Sequence, residues 1–301
     1  MTAGERIDVT GLTKMFGSLT ALDGLTFSVR PGLVTGFLGP NGAGKTTTLR
    51  CLLGLLTPTS GSATIGGRAY RDLDDPLGTV GAALESSGFH PGRSARAHLV
   101  AVALAGGVDP RRCSQLLALV GLTEVADRRV GGFSLGMRQR LALAQALLGD
   151  PSVLLLDEPA NGLDPAGIAW LREFLRGLAA EGRTVLVSSH VLSEVAQTVD
   201  EVVVVSRGRL VRQGTLAQLG AGPRAVLVRT PEPEALRDAL AGQPVEQLPD
   251  GRLRVSGNTT EVVGHAAYLA GIEVHELVAE AGDLERLFLD LTAEHPATVA
   301  S

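Results

Sequence analysis

Gly39-Pro40-Asn41-Gly42-Ala43-Gly44-Lys45-Thr46 spells Gly-x-x-x-x-Gly-Lys-Thr. Glycines at this spacing let backbone N–H groups turn inward around phosphate oxygens. Lys45 then reaches the β- and γ-phosphates of a nucleoside triphosphate, and the Thr46 hydroxyl meets the accompanying Mg2+. The apolar run Leu33–Leu38 before the loop reads as a buried strand, and Leu49, Leu52 and Leu53 after Thr47 set a helical pattern. With a strand before and a helix after, a chance glycine-rich turn is a poor account of the motif. ATP and Mg2+ are the implied ligands.

A second chemical feature lies downstream, where Val153-Leu154-Leu155-Leu156 ends in Asp157-Glu158. Ligands of open α/β sheets gather at the carboxyl ends of strands. Asp157 there reads as the partner of Thr46 at Mg2+, through water. Glu158 reads as the general base that polarises an attacking water. Alone, the pair reads equally as a strand followed by a solvated acidic turn. The phosphate loop is what favours the functional reading.

The elements that must position these groups follow from pattern. Ile7–Thr10 and Thr26–Arg30 read as short strands, punctuated by Gly11, Gly17 and Gly24. Ala63–Ile65 and Thr79–Ala83 are further strand candidates. Residues 94–148 read as helical, with breaks at 106–110 and 129–134. Val153–Leu156, Thr184–Val187 and Glu201–Val205 are short apolar strands, separated by helices near Gly167–Ala180 and Leu192–Thr198. Strands alternating with helices predict a parallel α/β sheet. The loop-like Gly220–Pro223 marks a boundary. Beyond it, strands at Ala225–Arg229, Leu253–Val255 and Val274–Val278 and helices at Glu234–Ala241, Thr260–Ala270 and Asp283–Leu291 predict a small α+β module.

Composition removes several classes of function. The 301 residues carry a formal net charge of −5, and aromatics make only 3%, so neither a nucleic-acid footprint nor a stacking platform is expected. Lys14 and Lys45 are the only lysines among 27 basic residues, so lysine chemistry falls to one of these two. Met1–Val9 holds Glu5 and Asp8 and no apolar core of a signal peptide. The longest apolar stretch, Leu99–Val108, is too short for a membrane span. Cys51 and Cys113 lack metal-ligand spacing and read as buried structural thiols of a reducing compartment.

The phosphate loop and acidic pair define only a P-loop NTPase; the segments between and after them narrow the reading. Phe133-Ser134-Leu135-Gly136-Met137 resembles the signature motif of ABC transporter ATPases, usually Leu-Ser-Gly-Gly-Gln. By its residue type alone, Ser134 is a helix N-cap. The resemblance adds that this helix start faces the γ-phosphate of ATP held by a second subunit. Leu135 and Met137 depart from the usual Gly and Gln, while Ser134 and Gly136 remain. Asn161-Gly162-Leu163-Asp164 resembles the D-loop, in which Asp164 belongs to the dimer interface. Ser188-Ser189-His190 resembles the switch-histidine segment, although a single histidine after a strand is more often structural. Phe16 matches the aromatic that stacks on adenine, and reads alternatively as core. Glu85 stands where the family usually has Gln, as in bacitracin- and lantibiotic-type resistance ATPases. It implies a further Mg2+ ligand, or else an ordinary exposed loop glutamate.

The resemblance spans residues 5–220 and implies an α/β P-loop NTPase core with an N-terminal antiparallel β subdomain. It also implies a helical signature subdomain at about 86–150. The cassette is expected at 1–220, followed by an accessory α+β domain at 221–301. The implied activity is ATP hydrolysis by the ATP-binding subunit of an exporter of the drug and antibiotic (bacitracin- and daunorubicin-type) resistance class. Lys14 follows Thr13 and not Gly, so this chain offers no second phosphate loop. A homodimer of cassettes and a separate permease at the cytoplasmic face of the membrane are therefore implied partners. The alternative is a non-transport ABC ATPase with a regulatory C-terminal domain.

Overall fold

The computed structural model describes residues 4–84, 88–191, 195–219 and 225–280. The chain divides into two compact units between Thr215 and Leu216. The Gly220–Pro223 segment, where composition places the boundary, lies outside the described residues, as does Asp283–Leu291.

The first unit is built on a six-stranded sheet. Strands β1 (Ile7–Phe16), β2 (Leu19–Val29), β3 (Val34–Leu38), β4 (Ser60–Ile65), β5 (Val80–Ala83), β6 (Val153–Leu156), β7 (Thr184–Ser189), β8 (Glu201–Ser206) and β9 (Arg209–Thr215) fall into two sheets. The large one runs β5-β6-β7-β3-β8-β9, parallel except for the β8–β9 hairpin. Every residue of β3, β6, β7 and β8 is buried. Such continuous apolar strands belong to a parallel sheet covered on both faces. The small sheet, β2-β1-β4, is antiparallel and alternates buried and exposed positions along much of β1 and β2. One hydrophobic core joins the two, with Phe27 of β2 stacked on Phe37 of β3 at 5.2 Å.

Helices α1 (Lys45–Leu52), α2 (Pro76–Thr79), α3 (Ala95–Ala105), α4 (Arg111–Leu119), α5 (Leu135–Ala146) and α6 (Pro165–Ala180) connect these strands. Those from α3 to α5 form the helical segment expected between residues 94 and 148. Ser94 and Ser134 cap α3 and α5, accepting from the N–H groups of Ala97 and Met137. Of the expected helix at Leu192–Thr198, residues 192–194 lie outside the described residues.

Strands β1 and β2 run longer than expected, because their exposed halves pair with each other rather than with a core. Strand β9 was not expected at all. Its Arg-Leu-Val-Arg-Gln-Gly-Thr sequence has little apolar content, and pairing along the sheet edge makes it a strand.

The second unit has its own sheet of β10 (Ala225–Arg229), β11 (Val245–Gln247), β12 (Leu253–Ser256) and β13 (Glu276–Glu280), ordered β11-β12-β10-β13 and antiparallel throughout. Helices Pro233–Ala239 and Thr260–Leu269 supply Leu236 and Val263 to its core beside Val226, Val228, Leu253 and Val255. Strand β11 was missed because its pattern carries a single apolar residue. Cys51 and Cys113 are buried free thiols, and burial pushes both thiol pKa values up.

Phe37 is fully buried at the centre of the large sheet. Phe37→Ala is expected to destabilise the first unit by about 3–5 kcal/mol, read as a lower midpoint in urea denaturation.

Candidate functional site

The loop between β3 and α1 is shaped by close approaches that exclude side chains. A Cβ on Gly39 would lie 2.4 Å from the Val205 carbonyl oxygen. Gly44 is left-handed at φ 100°, and a Cβ there would lie 2.6 Å from Leu22 Cδ2. Gly44 is the N-cap of α1 and contributes no side-chain cap. The first N–H groups of a helix have no partner within it. At this helix start they point toward the loop, an arrangement suited to an anion.

Lys45 is 7% exposed, and its Nζ donates to the carbonyls of Gly39 at 2.6 Å and Pro40 at 3.3 Å. Nζ also lies 3.6 Å from Glu158 Oε1. On the other side of that carboxylate, His190 Nδ1 donates to Glu158 Oε2 at 2.9 Å. Glu158 is thus held between a lysine from the loop and a histidine from the end of β7. Its own backbone is left-handed, with φ 49°. Non-glycine residues in that region cluster at functional sites.

Asp157 is buried, and its two oxygens are engaged by different elements. Thr46 Oγ1 donates to Oδ2 at 2.7 Å, and Ser188 Oγ donates to Oδ1 at 2.5 Å. Ser188 Oγ also accepts the Glu158 N–H at 2.9 Å. One hydroxyl from β7 therefore orients both acidic residues. In the sequence Ser188 is only part of the histidine segment; its role follows from the pairing of β7 with β6, which residue spacing does not carry. Thr46 and Asp157 place two hard oxygen donors side by side, a donor set that fits Mg2+. Among the described residues no cluster of three or more His, Cys, Asp or Glu could hold a metal ion.

A cavity of about 690 Å³ opens over the loop and is lined by Phe16, Leu19, Asn41, Gly42, Ala43, Gly44, Lys45, Thr46, Thr47, Glu158, Asn161 and His190, among others. Phe16 is 46% exposed on this cavity, and Lys14 Nζ lies 5.1 Å from its ring centroid. A cation against an aromatic face holds the ring by its quadrupole. Lys14 is further tied by donating to the Thr57 carbonyl at 2.8 Å.

Ser134, Leu135, Gly136, Met137 and Asp164 are not in this cavity's lining. Ser134 and Leu135 are exposed at the start of α5, and Asp164 caps α6 by accepting the Gly167 N–H at 2.8 Å. Glu85 lies outside the described residues.

Residues 22–161 match the family model of the ABC transporter, and residues 224–285 match a domain of unknown function, DUF8746. The bacitracin transport ATP-binding protein BcrA of Bacillus licheniformis is 44% identical over 210 residues, covering 69% of each chain. The chain belongs to the ABC transporter ATP-binding family. Nod factor export ATP-binding protein I of Paraburkholderia xenovorans is 37% identical over 84% of each chain. In fold, the chain is similar to the dimeric bacterial ABC transporter cassette MJ0796, with TM-score 0.64 and 24% identity over 70% of this chain and 98% of that one. Members of the family bind ATP and hydrolyse it to power transport, and this chain is an ATPase of that kind. Among the described residues no helix is long and apolar enough to cross a membrane.

Two substitutions test the geometry. Lys45→Ala removes the ammonium from the loop, and nucleotide affinity, measured by titration calorimetry, is expected to fall at least about tenfold. Ser188→Ala leaves Asp157 short of a donor in a buried position. It is expected to cost about 2 kcal/mol of stability in urea denaturation and to lower ATPase turnover.

Proposed function

We propose that this chain is the ATP-hydrolysing subunit of an exporter for a drug, antibiotic or similar substrate, acting through a separate permease at the cytoplasmic face of the membrane. The observation that carries the hydrolytic role is Glu158, held in a left-handed turn between Lys45 and His190 at the edge of the cavity. A carboxylate so restrained is pre-oriented to accept a proton from a water attacking the γ-phosphate. His190, 40% exposed at the rim, fixes the carboxylate from the solvent side and orients that water. Lys45 stabilises the negative charge of the β- and γ-phosphates, assisted by the loop N–H groups and the start of α1. Phe16 stacks on the adenine. Thr46 and Asp157 would hold Mg2+, with Glu85 as a further ligand; when bound, the ion neutralises phosphate charge.

The exporter reading draws on the relatives, whose names carry bacitracin transport and Nod factor export. Residues 1–220 are the cassette, and 221–301 an accessory domain. The cassette works as a homodimer in which Ser134, Leu135, Gly136 and Met137, with Asp164 nearby, face the nucleotide of the second copy. Support for this comes from the exposure of the α5 start and its absence from the cavity lining of its own chain.

Glu158→Gln tests the whole arrangement. Turnover is expected to fall at least about a hundredfold while ATP binding persists. On size-exclusion chromatography with ATP the variant should elute as a dimer. Turnover at the wild-type level would remove Glu158 as the base, and a monomer would remove the paired site. Co-purification of a membrane protein with the wild-type chain tests the permease.

A further inference from the structure

Two segments assigned above to the second copy's nucleotide, the start of α5 and the Asn161–Asp164 loop, touch each other within one chain. A Cβ on Gly162 would lie 2.2 Å from Leu135 Cδ2 and 2.5 Å from its Cγ. The Leu135 side chain therefore rests directly on the Gly162 backbone, which is left-handed at φ 75°. Beside it, a Cβ on Gly136 would lie 3.3 Å from both the Gly162 carbonyl oxygen and Leu163 Cδ2. Further along the same helices, the Arg140 guanidinium lies 4.6 Å from the centroid of Trp170, whose ring stacks on Phe174 at 5.3 Å. Arg140 also donates to the Val120 carbonyl at the end of α4, at 3.2 Å.

We propose that Leu135 is a positioning residue that locks the α5 start to the Asn161–Asp164 loop, so that both reach the second nucleotide as one rigid piece. The lock is a knob in a hole: Gly162 has no side chain, and Leu135 fills the space one would take. A glycine at position 135, the more usual residue in the family, would leave that space empty and forfeit its dispersion contacts. The lock has a second anchor. The Arg140–Trp170 contact ties α5 to α6 at a second point. Leu135 is 48% exposed, so a contact to a second chain is open to it while it holds Gly162. This inference rests on the two-chain reading above.

The test uses the full chain and four variants: Leu135→Ala, Gly162→Ala, both together, and Leu135→Met. Trp170 is the only tryptophan, so its emission reports on the α5–α6 contact. Gly162→Ala is expected to lower Tm by roughly 4 °C, and adding Leu135→Ala should recover part of that loss. Leu135→Ala alone should lower kcat about fivefold with KM for ATP nearly unchanged, and should alter the response of Trp170 emission to ATP. Leu135→Met should keep kcat within about twofold of wild type.

Additive Tm losses in the double variant would overturn the lock. A coupled Tm cycle with wild-type kcat and emission response in Leu135→Ala would overturn the positioning role and leave Leu135 a packing residue. Failure of the two-chain reading is seen separately. A Glu158→Gln chain that stays monomeric with ATP overturns that reading, and the positioning role with it, while the Tm cycle remains coupled.

Discussion

Asp157 is 2% exposed, and the chain has to bring three other elements to it. Burying a carboxyl group without partners costs several kcal/mol, so its place at the end of β6 is tenable only where donors converge. Thr46 comes from the first turn of α1, Ser188 from β7, and the Asp157 N–H itself donates to the Ala83 carbonyl at the end of β5. These bonds require β5, β6 and β7 to end level with one another, and α1 to begin at the same height. The all-buried parallel strands provide that alignment, with Ala83 opposite Leu156 and Leu156 opposite Val187. The glycines at 39 and 44 then let the loop fold close against Val205 and Leu22 without side chains in the way. The fold and the site are thus held by the same set of contacts.

Glu158 inherits its position from that arrangement. Once Ser188 holds the Glu158 N–H, the backbone turns left-handed and the side chain is directed toward Lys45 and His190. The strain of a left-handed glutamate is of order 1 kcal/mol or more. It is offset by hydrogen bonds that exist only if β7 and β6 are paired in register. The placement of Glu158 thus depends on sheet pairing between residues some thirty positions apart in the chain, which ties the geometry of the site to the stability of the sheet.

What was legible in the sequence was local. The phosphate loop is contiguous, and its chemistry depends on adjacent residues, so Gly39–Thr46 could be read without knowing the fold. The apolar strands were legible because complete burial leaves an unbroken apolar run, as in β6. Strands β9 and β11 were not, because edge strands take their structure from the partner and carry little pattern of their own. The double duty of Ser188 and the embrace of Glu158 by Lys45 and His190 were equally hidden, being products of strand register rather than spacing. The packing of Leu135 on Gly162 belongs with these. As a departure from the usual signature, Leu135 could be noticed in the sequence; the glycine that receives it could not.

The scarcity of lysine sharpens the division of labour at the cavity. With 25 arginines present, positive charge is abundant, yet both lysines line or support the cavity over the loop. Arginine's planar fork would be difficult to fold back onto the carbonyls of Gly39 and Pro40 within a loop whose glycines leave so little room. An ammonium on a flexible stem donates in several directions from one compact centre. It can therefore meet two carbonyls and approach Glu158 at once, as Lys45 does. Lys14 does the opposite task behind Phe16, where a point charge 5.1 Å from the ring centroid and one bond to Thr57 hold the aromatic at the cavity wall. The two lysines of an arginine-rich chain thus serve one cavity, Lys45 within its loop and Lys14 behind Phe16.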